Sequence, residues 1–456
     1  MATFKANLGA ATEGDASAGM IRTTPYSWYV ATLICLASIM SVLDRYLFGV
    51  TLEPVKHELS LSDSQLAIVQ GPAFVALFLF TSIPAGRLAD IGNRRLIIVI
   101  ALALWSIATA ATAFAQSFVW LLVTRMAVGL GEAMLLPSAM SLIAAYFSED
   151  KLSRATAFYT VGGPLGKAFA FIGGGAVIAA FQATGGANLF GFHASPWRLT
   201  FLLAGMMGMV SSLLFVLTVR EPARVERQRR AGQGIGASFA YLLRHRTGFL
   251  AIFIPFAMYT AITYQMASWS VSFYVREHGL TVSDAAAIIG FTGLAVGPLG
   301  QIVGGVGGDY MRKRGMRGLH AYLLAAGLLG ALVFTIIFAL SPTVLLAGLA
   351  FAIAQFLLNC GGPIAYTAVQ LATPDQHRGT VSSMFLLTFT LLGTGLGPLL
   401  IALVNDYVFV SEKMMSASVI VSSSLLAGVG IVTALCARRA YLRLLDERGS
   451  AGPAPE

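Results

Sequence analysis

The chain has 456 residues, 57% hydrophobic and only 11% charged. Soluble domains carry about 25% charged residues, so the composition excludes a soluble globular protein and points to a membrane. A formal net charge of +9 would suit nucleic acid, but the basic residues cluster where apolar runs end, which excludes that partner and makes the charge a topology signal.

Residues 1–26 form a polar tail rich in Gly, Ala and Thr, expected to be disordered and cytoplasmic. No cleavable signal peptide is evident, because the first apolar run is about 23 residues long, a span rather than a signal core. A spanning helix needs about 20 apolar residues. Twelve runs qualify: 28–50, 64–85, 95–115, 118–147, 154–181, 198–219, 249–275, 284–307, 319–340, 343–370, 379–404 and 415–437, called spans 1 to 12 below. Spans 4, 5, 7 and 10 are long, which implies tilt or projection past the bilayer. Charged or Pro-bearing turns fix the ends, among them Ser148-Glu-Asp-Lys151 and Ser341-Pro342. Cys35, Cys360 and Cys436 all lie inside apolar runs, an odd set that gives neither a disulfide framework nor a metal cluster.

Orientation follows from Lys and Arg. With the N-terminus inside, cytoplasmic segments hold 23 of the 30, so both termini are expected in the cytoplasm. The outer loops hold Lys56, Arg198, Arg276 and Lys413. The longest cytoplasmic loop, 220–246, carries Arg224, Arg227, Arg229 and Arg230. It reads as a linker, partly a short amphipathic surface helix. It divides a six-helix bundle over 27–219 from a second over 247–438, and 439–456 is a cytoplasmic tail.

The two halves repeat one another. The turn Gly86-Arg-Leu-Ala-Asp90-Ile-Gly-Asn-Arg94-Arg95 returns as Gly305-Val-Gly-Gly-Asp309-Tyr-Met-Arg312-Lys313-Arg314. Arg154-Ala-Thr156 opens span 5 as Arg378-Gly-Thr380 opens span 11, and Gly163-Pro164 is matched by Gly397-Pro398. Duplicated six-helix halves are the layout of a rocking transporter with its site at the midplane. Gly86, Asp90, Arg94, Arg95, Arg154 and Asp309 are the candidate gate. An acid at a helix end can meet the positive N-terminus of another helix, and making or breaking that clasp biases one conformation.

Charge at the bilayer centre costs about 2.5–3.5 kcal/mol per residue on insertion scales, so deep ionisable residues are informative. They are Asp44, Arg45, Arg125, Glu132 and Lys167, all in the first half. The second half offers neutral polar groups: Tyr264, Gln265, Gln301, Gln355, Asn359 and Gln370. Arg45, Arg125 and Lys167 with Tyr264, Gln265, Gln355 and Asn359 are the candidate cargo contacts. Arg125 and Glu132 are seven residues apart, which puts them on one stripe of span 4 about 10.5 Å apart. They suit two stations on one cavity wall with a group from span 1 opposite. Asp44 and Arg45 are about 100° apart around span 1, so one faces the cavity while the other leans on a neighbour, and the sequence leaves open which. Lys167 follows Gly162-Gly-Pro-Leu-Gly166, where span 5 can bend, and either pairs with a carboxylate or meets cargo.

A hydrophobic pair would hold helices together as well as a buried ionic cluster, so the deep charges are read as functional. The six His residues, 57, 193, 245, 278, 320 and 377, lie in loops or at span ends. A proton carrier is therefore a carboxylate, Asp44 or Glu132. No nucleophile–base pair, His-Glu-x-x-His spacing or Gly-Lys-Ser nucleotide loop appears. That argues against an enzyme and against ATP drive. No cofactor is implied beyond a proton gradient.

These motifs resemble those of the major facilitator superfamily. The Asp90 turn resembles its signature between helices two and three. Arg125-Met-Ala-Val-Gly129-Leu-Gly131-Glu132-Ala133 resembles its helix-four signature. Gly163-Pro164 resembles the helix-five signature of many antiporters. Within it the chain resembles the spinster lipid transporters, through Asp44-Arg45-Tyr46, Asn93-Arg94-Arg95 and Gly129-Leu-Gly-Glu132-Ala. The resemblance implies an all-α fold of twelve transmembrane helices in two pseudo-symmetric halves, a monomer in the plasma membrane, or the inner membrane of a bacterium. It also implies proton-coupled movement of a lysolipid or sphingoid lipid with a zwitterionic or anionic head, by alternating access and export through antiport. Charges in one half and an apolar second half suit such an amphiphile. The alternative is proton-coupled symport of a polar organic anion such as a sugar acid or carboxylate.

Overall fold

The computed structural model describes residues 23–189, 191–222, 235–314 and 318–450. Among the described residues, twelve helices are long and apolar enough to cross a membrane: Pro25–Leu59, Asp63–Ser82, Arg94–Thr112, Phe118–Tyr146, Asp150–Gln182, Pro196–Thr218, Arg246–His278, Val282–Gly308, Leu319–Leu340, Val344–Ala372, Arg378–Phe409 and Glu412–Glu447. They are spans 1 to 12. Because their number is even, both ends of the array emerge on one face. The tail expected to be disordered falls mostly on residues 1–22, and the linker arginines Arg224, Arg227, Arg229 and Arg230 fall on 223–234; both stretches lie outside the described residues. Ile235–Arg244 is a helix. It docks on the second half, where Tyr241 stacks on His377 with centroids 4.8 Å apart and Ser238 Oγ lies 3.0 Å from His377 Nδ1.

Local chemistry sets the helix ends. Thr24 and Ser27 form a capping box in front of Pro25, whose ring is pre-set for a first turn. Ser62 and Gln65 repeat the device at the start of span 2, and Asn93 caps span 3. One short antiparallel hairpin joins spans 5 and 6, with Ala187 opposite Ala194 and Asn188 opposite His193.

Two departures from regular helix matter for the site. Span 2 breaks at Gly71, where Pro72 removes a backbone donor. Span 11 relaxes into a π-helical segment over Thr390–Leu396, a geometry that concentrates at functional positions. The two breaks meet: a Cβ on Gly71 would lie 2.7 Å from Thr394 O. Only glycine lets these two backbones, one from each half, come so close.

The buried apolar residues form two cores. One fills the second half and runs on into Phe48, Val55, Leu66, Trp197 and Phe201 of the first half, toward the face opposite the termini. The other, around Phe74, Trp105, Leu142 and Phe147, belongs to the first half alone. The halves are therefore fused by packing on the face away from the termini.

Candidate functional site

Asp44 and Arg45 lie at mid-depth on span 1 and point in different directions, as their angular separation requires. Asp44 is 3% exposed and turns into the first half, where its Oδ2 lies 3.8 Å from Arg125 Nη1. The Arg125 Nη1 also donates to the Asp44 backbone carbonyl at 3.4 Å, and Thr109 is a polar neighbour of the carboxylate. The Arg125 guanidinium lies 4.9 Å from the ring centre of Phe48 and 5.1 Å from that of Phe201. The pair is thus enclosed by aromatic faces, which stabilise a cation but supply no hydrogen bonds.

Arg45 turns toward the seam between the halves. Its Nη2 lies 2.5 Å from Glu132 Oε2, and Ser41, one turn earlier on the same face, donates to that oxygen at 2.8 Å. Its Nη1 donates to the Tyr264 hydroxyl at 3.3 Å. Glu132 comes from the first half and Tyr264 from the second, so a single guanidinium touches both. The glycines before Glu132 seat it there: a Cβ on Gly129 would lie 2.2 Å from Phe74 O, and one on Gly131 would lie 2.9 Å from Trp105 Cβ. Span 4 also breaks at Met134, just past the carboxylate.

Tyr46 stacks on Tyr264 across the seam, with centroids 5.5 Å apart and planes 6° from parallel. Lys167 lies beside them, its Nζ 5.4 Å from the Tyr46 ring centre. That Nζ donates to Gln355 Oε1 at 3.3 Å, a second polar contact between the halves. Gly166 allows it, because a Cβ there would lie 2.6 Å from Ile39 O on span 1. Asn359 donates to the Gln355 carbonyl at 2.7 Å.

Several expected positions fall differently. Arg125 and Glu132 do not share one span-1 partner; each takes its own, in separate ion pairs. Gln265 faces away from the seam: it is fully buried in the second half and donates to Ser423 Oγ at 2.6 Å. One residue of helix separates it from Tyr264, and that rotation turns it inward. Arg94 Nε binds Glu221 Oε1 at 2.7 Å, and the Arg95 backbone N–H donates to Glu221 Oε2 at 2.8 Å. These contacts clip the turn between spans 2 and 3 to the end of span 6, within one half. Arg154 is exposed, and a Cβ on Gly86 would meet nothing within 4 Å. The side chains of Asp90 and Asp309 lie outside the described residues.

Among the described residues, the ion pairs that bridge the halves lie on the face away from the termini. Arg276, at the end of span 7, donates to Glu53 Oε1 at 2.8 Å and to both oxygens of Asp63 at 2.8 and 2.9 Å. Asn405 donates to Asp63 Oδ2 at 2.7 Å, and Lys56 lies 2.6 Å from both Asp63 and Glu412. Asp63 has a fully buried side chain. Sequence reasoning missed this latch because Lys56 and Arg276 read as loop charges that report topology. The available signal was the grouping of Glu53, Lys56 and Asp63 within one junction.

Known proteins resemble this chain in sequence and in fold. The family model described as Major Facilitator Superfamily matches residues 34–398. An MFS-type efflux pump of Mycolicibacterium smegmatis is 26% identical over 383 residues, 83% of this chain and 85% of the relative. Protein spinster homolog 1 of Xenopus tropicalis is 24% identical over 403 residues, 84% of this chain and 74% of the relative. A solved bacterial homolog of the human lysosomal transporter Spinster, inward-facing and unoccupied, superposes with a TM-score of 0.80. It is 24% identical, and the match covers 95% of this chain and 100% of that one.

Proposed function

The chain belongs to the Major Facilitator Superfamily and is a multi-pass membrane transporter, and we propose that it is a proton-coupled secondary carrier of a lipid-like or amphipathic organic anion, of lysolipid or sphingoid type. It works by alternating access and exports by antiport a cargo whose head joins the anionic group to an ammonium. The observation that carries this reading is the Arg45 guanidinium, held at once by Glu132 of the first half and Tyr264 of the second.

Glu132 has three suitors: the proton, Arg45 and any cationic group of a cargo head. A proton on Glu132 removes the charge that holds Arg45 within the first half, which frees the guanidinium at the seam. A head that carries an ammonium competes with the proton for the same carboxylate, and competition for one site is the condition for exchange. The anionic part of such a head meets the cations nearby, and its tail lies along the apolar second half. Asp44, closed inside the first half, keeps Arg125 charged and in place.

A purely anionic cargo reverses the coupling. It binds Arg45 best once a proton has released it from Glu132, so proton and anion then travel together. That is the route for a sugar acid or carboxylate. Flux from proteoliposomes across a panel of lysolipids, sphingoid lipids and polar organic anions, with and without a pH gradient, separates the two. Transport of polar anions alone removes the lipid reading.

A further inference from the structure

Five ionisable residues lie deep in the first half, three cationic and two acidic, and four of them are matched. Asp44 meets Arg125, and Glu132 meets Arg45. Lys167 is the remainder: among the described residues its ammonium has the neutral Gln355 amide and the face of Tyr46, and no carboxylate. Neither contact cancels a full charge, and an uncancelled charge at this depth is costly. Gln355 is 2% exposed, and its Nε2 has no hydrogen-bond partner among the described residues. A buried amide without its partners marks either lost stability or a ligand position.

We propose that Lys167 and Gln355 form a clamp for one anionic oxyacid group of the cargo, phosphate or carboxylate. The proposal rests on the reading above that cargo binds at the seam, and it adds which residues hold the charged end. Lys167 comes from span 5 and Gln355 from span 10, so the bound group is gripped by both halves at once. The ammonium supplies a charge-assisted hydrogen bond, and the amide turns its Nε2 to the oxyanion. The direct Lys167–Gln355 contact of 3.3 Å is long for a hydrogen bond donated by an ammonium and is given up on binding. Asn359 fixes the Gln355 backbone carbonyl, and the stacked Tyr46–Tyr264 pair walls off one side of the clamp. A cargo held this way draws the halves together around its own head, so the charged end is what seals the occluded state.

The test is equilibrium binding to the full-length protein in detergent micelles. The probes are single-chain amphiphiles of one tail length with a phosphate head or a neutral glycerol head, and, in a second arm, glucuronate. Wild-type protein is expected to prefer the phosphate head over the neutral one by about tenfold, the worth of one charge-assisted contact. Lys167→Gln is expected to erase the preference. Gln355→Glu is expected to do the same, because the new carboxylate occupies Lys167 in place of the cargo. Persistence of the phosphate preference in Lys167→Gln overturns the clamp. If the preference lies with glucuronate and depends on Lys167, the clamp stands and the lipid reading falls. If neither anion shows a Lys167-dependent preference, the clamp is wrong, while transport of other amphiphiles at the seam is untouched.

Discussion

Asp44 and Arg45 are adjacent in the chain and bind opposite charges on the same helix, Arg125 at 3.8 Å and Glu132 at 2.5 Å, both on span 4. Span 1 is thereby tied to span 4 at two levels. One tie is enclosed in aromatic packing and the other is open to the seam, with the Arg45 side chain 21% exposed. A buried charge is expensive to change, whereas a charge at a seam can be exchanged for a proton or a ligand. This difference in setting divides the labour between the two pairs.

Glu132→Gln keeps the shape of the site and removes its charge. Arg45 is then free at every pH, so binding of an anionic amphiphile at neutral pH should strengthen by about tenfold, one charge-assisted hydrogen bond's worth. Binding isotherms across a pH series should be flat in the variant and sloped in the wild type. A slope of equal size in both would remove Glu132 from the coupling.

Arg125→Ala leaves the buried Asp44 carboxylate without its ionic partner, and breaking one side of a buried pair costs about 3–5 kcal/mol. The thermal unfolding midpoint in micelles should drop sharply. Adding Asp44→Asn to Arg125→Ala should recover much of the loss, since both charges are then gone. Equal destabilisation by the single and paired changes would show that packing, and not the ion pair, sets the cost.

Arg276→Ala should weaken the latch opposite the termini. Three hydrogen bonds to Glu53 and Asp63 go with it, and losing even one charge-assisted bond, about 1.5–3 kcal/mol, shifts a two-state balance by roughly tenfold or more. Spin labels placed on that face, one per half, should report a longer distance in most molecules. An unchanged distance distribution would mean that apolar packing alone holds the face closed.

Gly71→Val tests the same closure by shape. Its side chain would collide with the Thr394 carbonyl, so the variant should favour the state in which this face is open. Cysteines introduced near Gly71 should become reactive to membrane-impermeant thiol reagents. Protection as strong as in the parent would place the moving contact elsewhere.

The fold was legible because run length is a direct physical requirement of the bilayer. Ser148 to Lys151 and Ser341-Pro342 marked their boundaries within a few residues of the helix ends at Tyr146 and Leu340. The deep charges stood out for a similar reason, since hydrocarbon tolerates few of them. What could not be read was where a side chain points around a helix. Tyr264 and Gln265 are adjacent and equally polar to the eye, yet only Tyr264 reaches the seam. Arg276 was invisible as a latch because the sequence does not distinguish a solvated loop charge from one whose side chain is 7% exposed. Spotting it required the position of Asp63, more than two hundred residues away in the chain.

Proton movement and cargo flux recorded together in proteoliposomes, for wild type and Glu132→Gln, bear most closely on whether this carboxylate links the two. With an imposed pH gradient, wild-type protein should drive cargo against its own gradient while internal pH changes. Glu132→Gln should let cargo equilibrate with no change in internal pH. Cargo-dependent proton movement by Glu132→Gln at the wild-type rate would contradict the assignment.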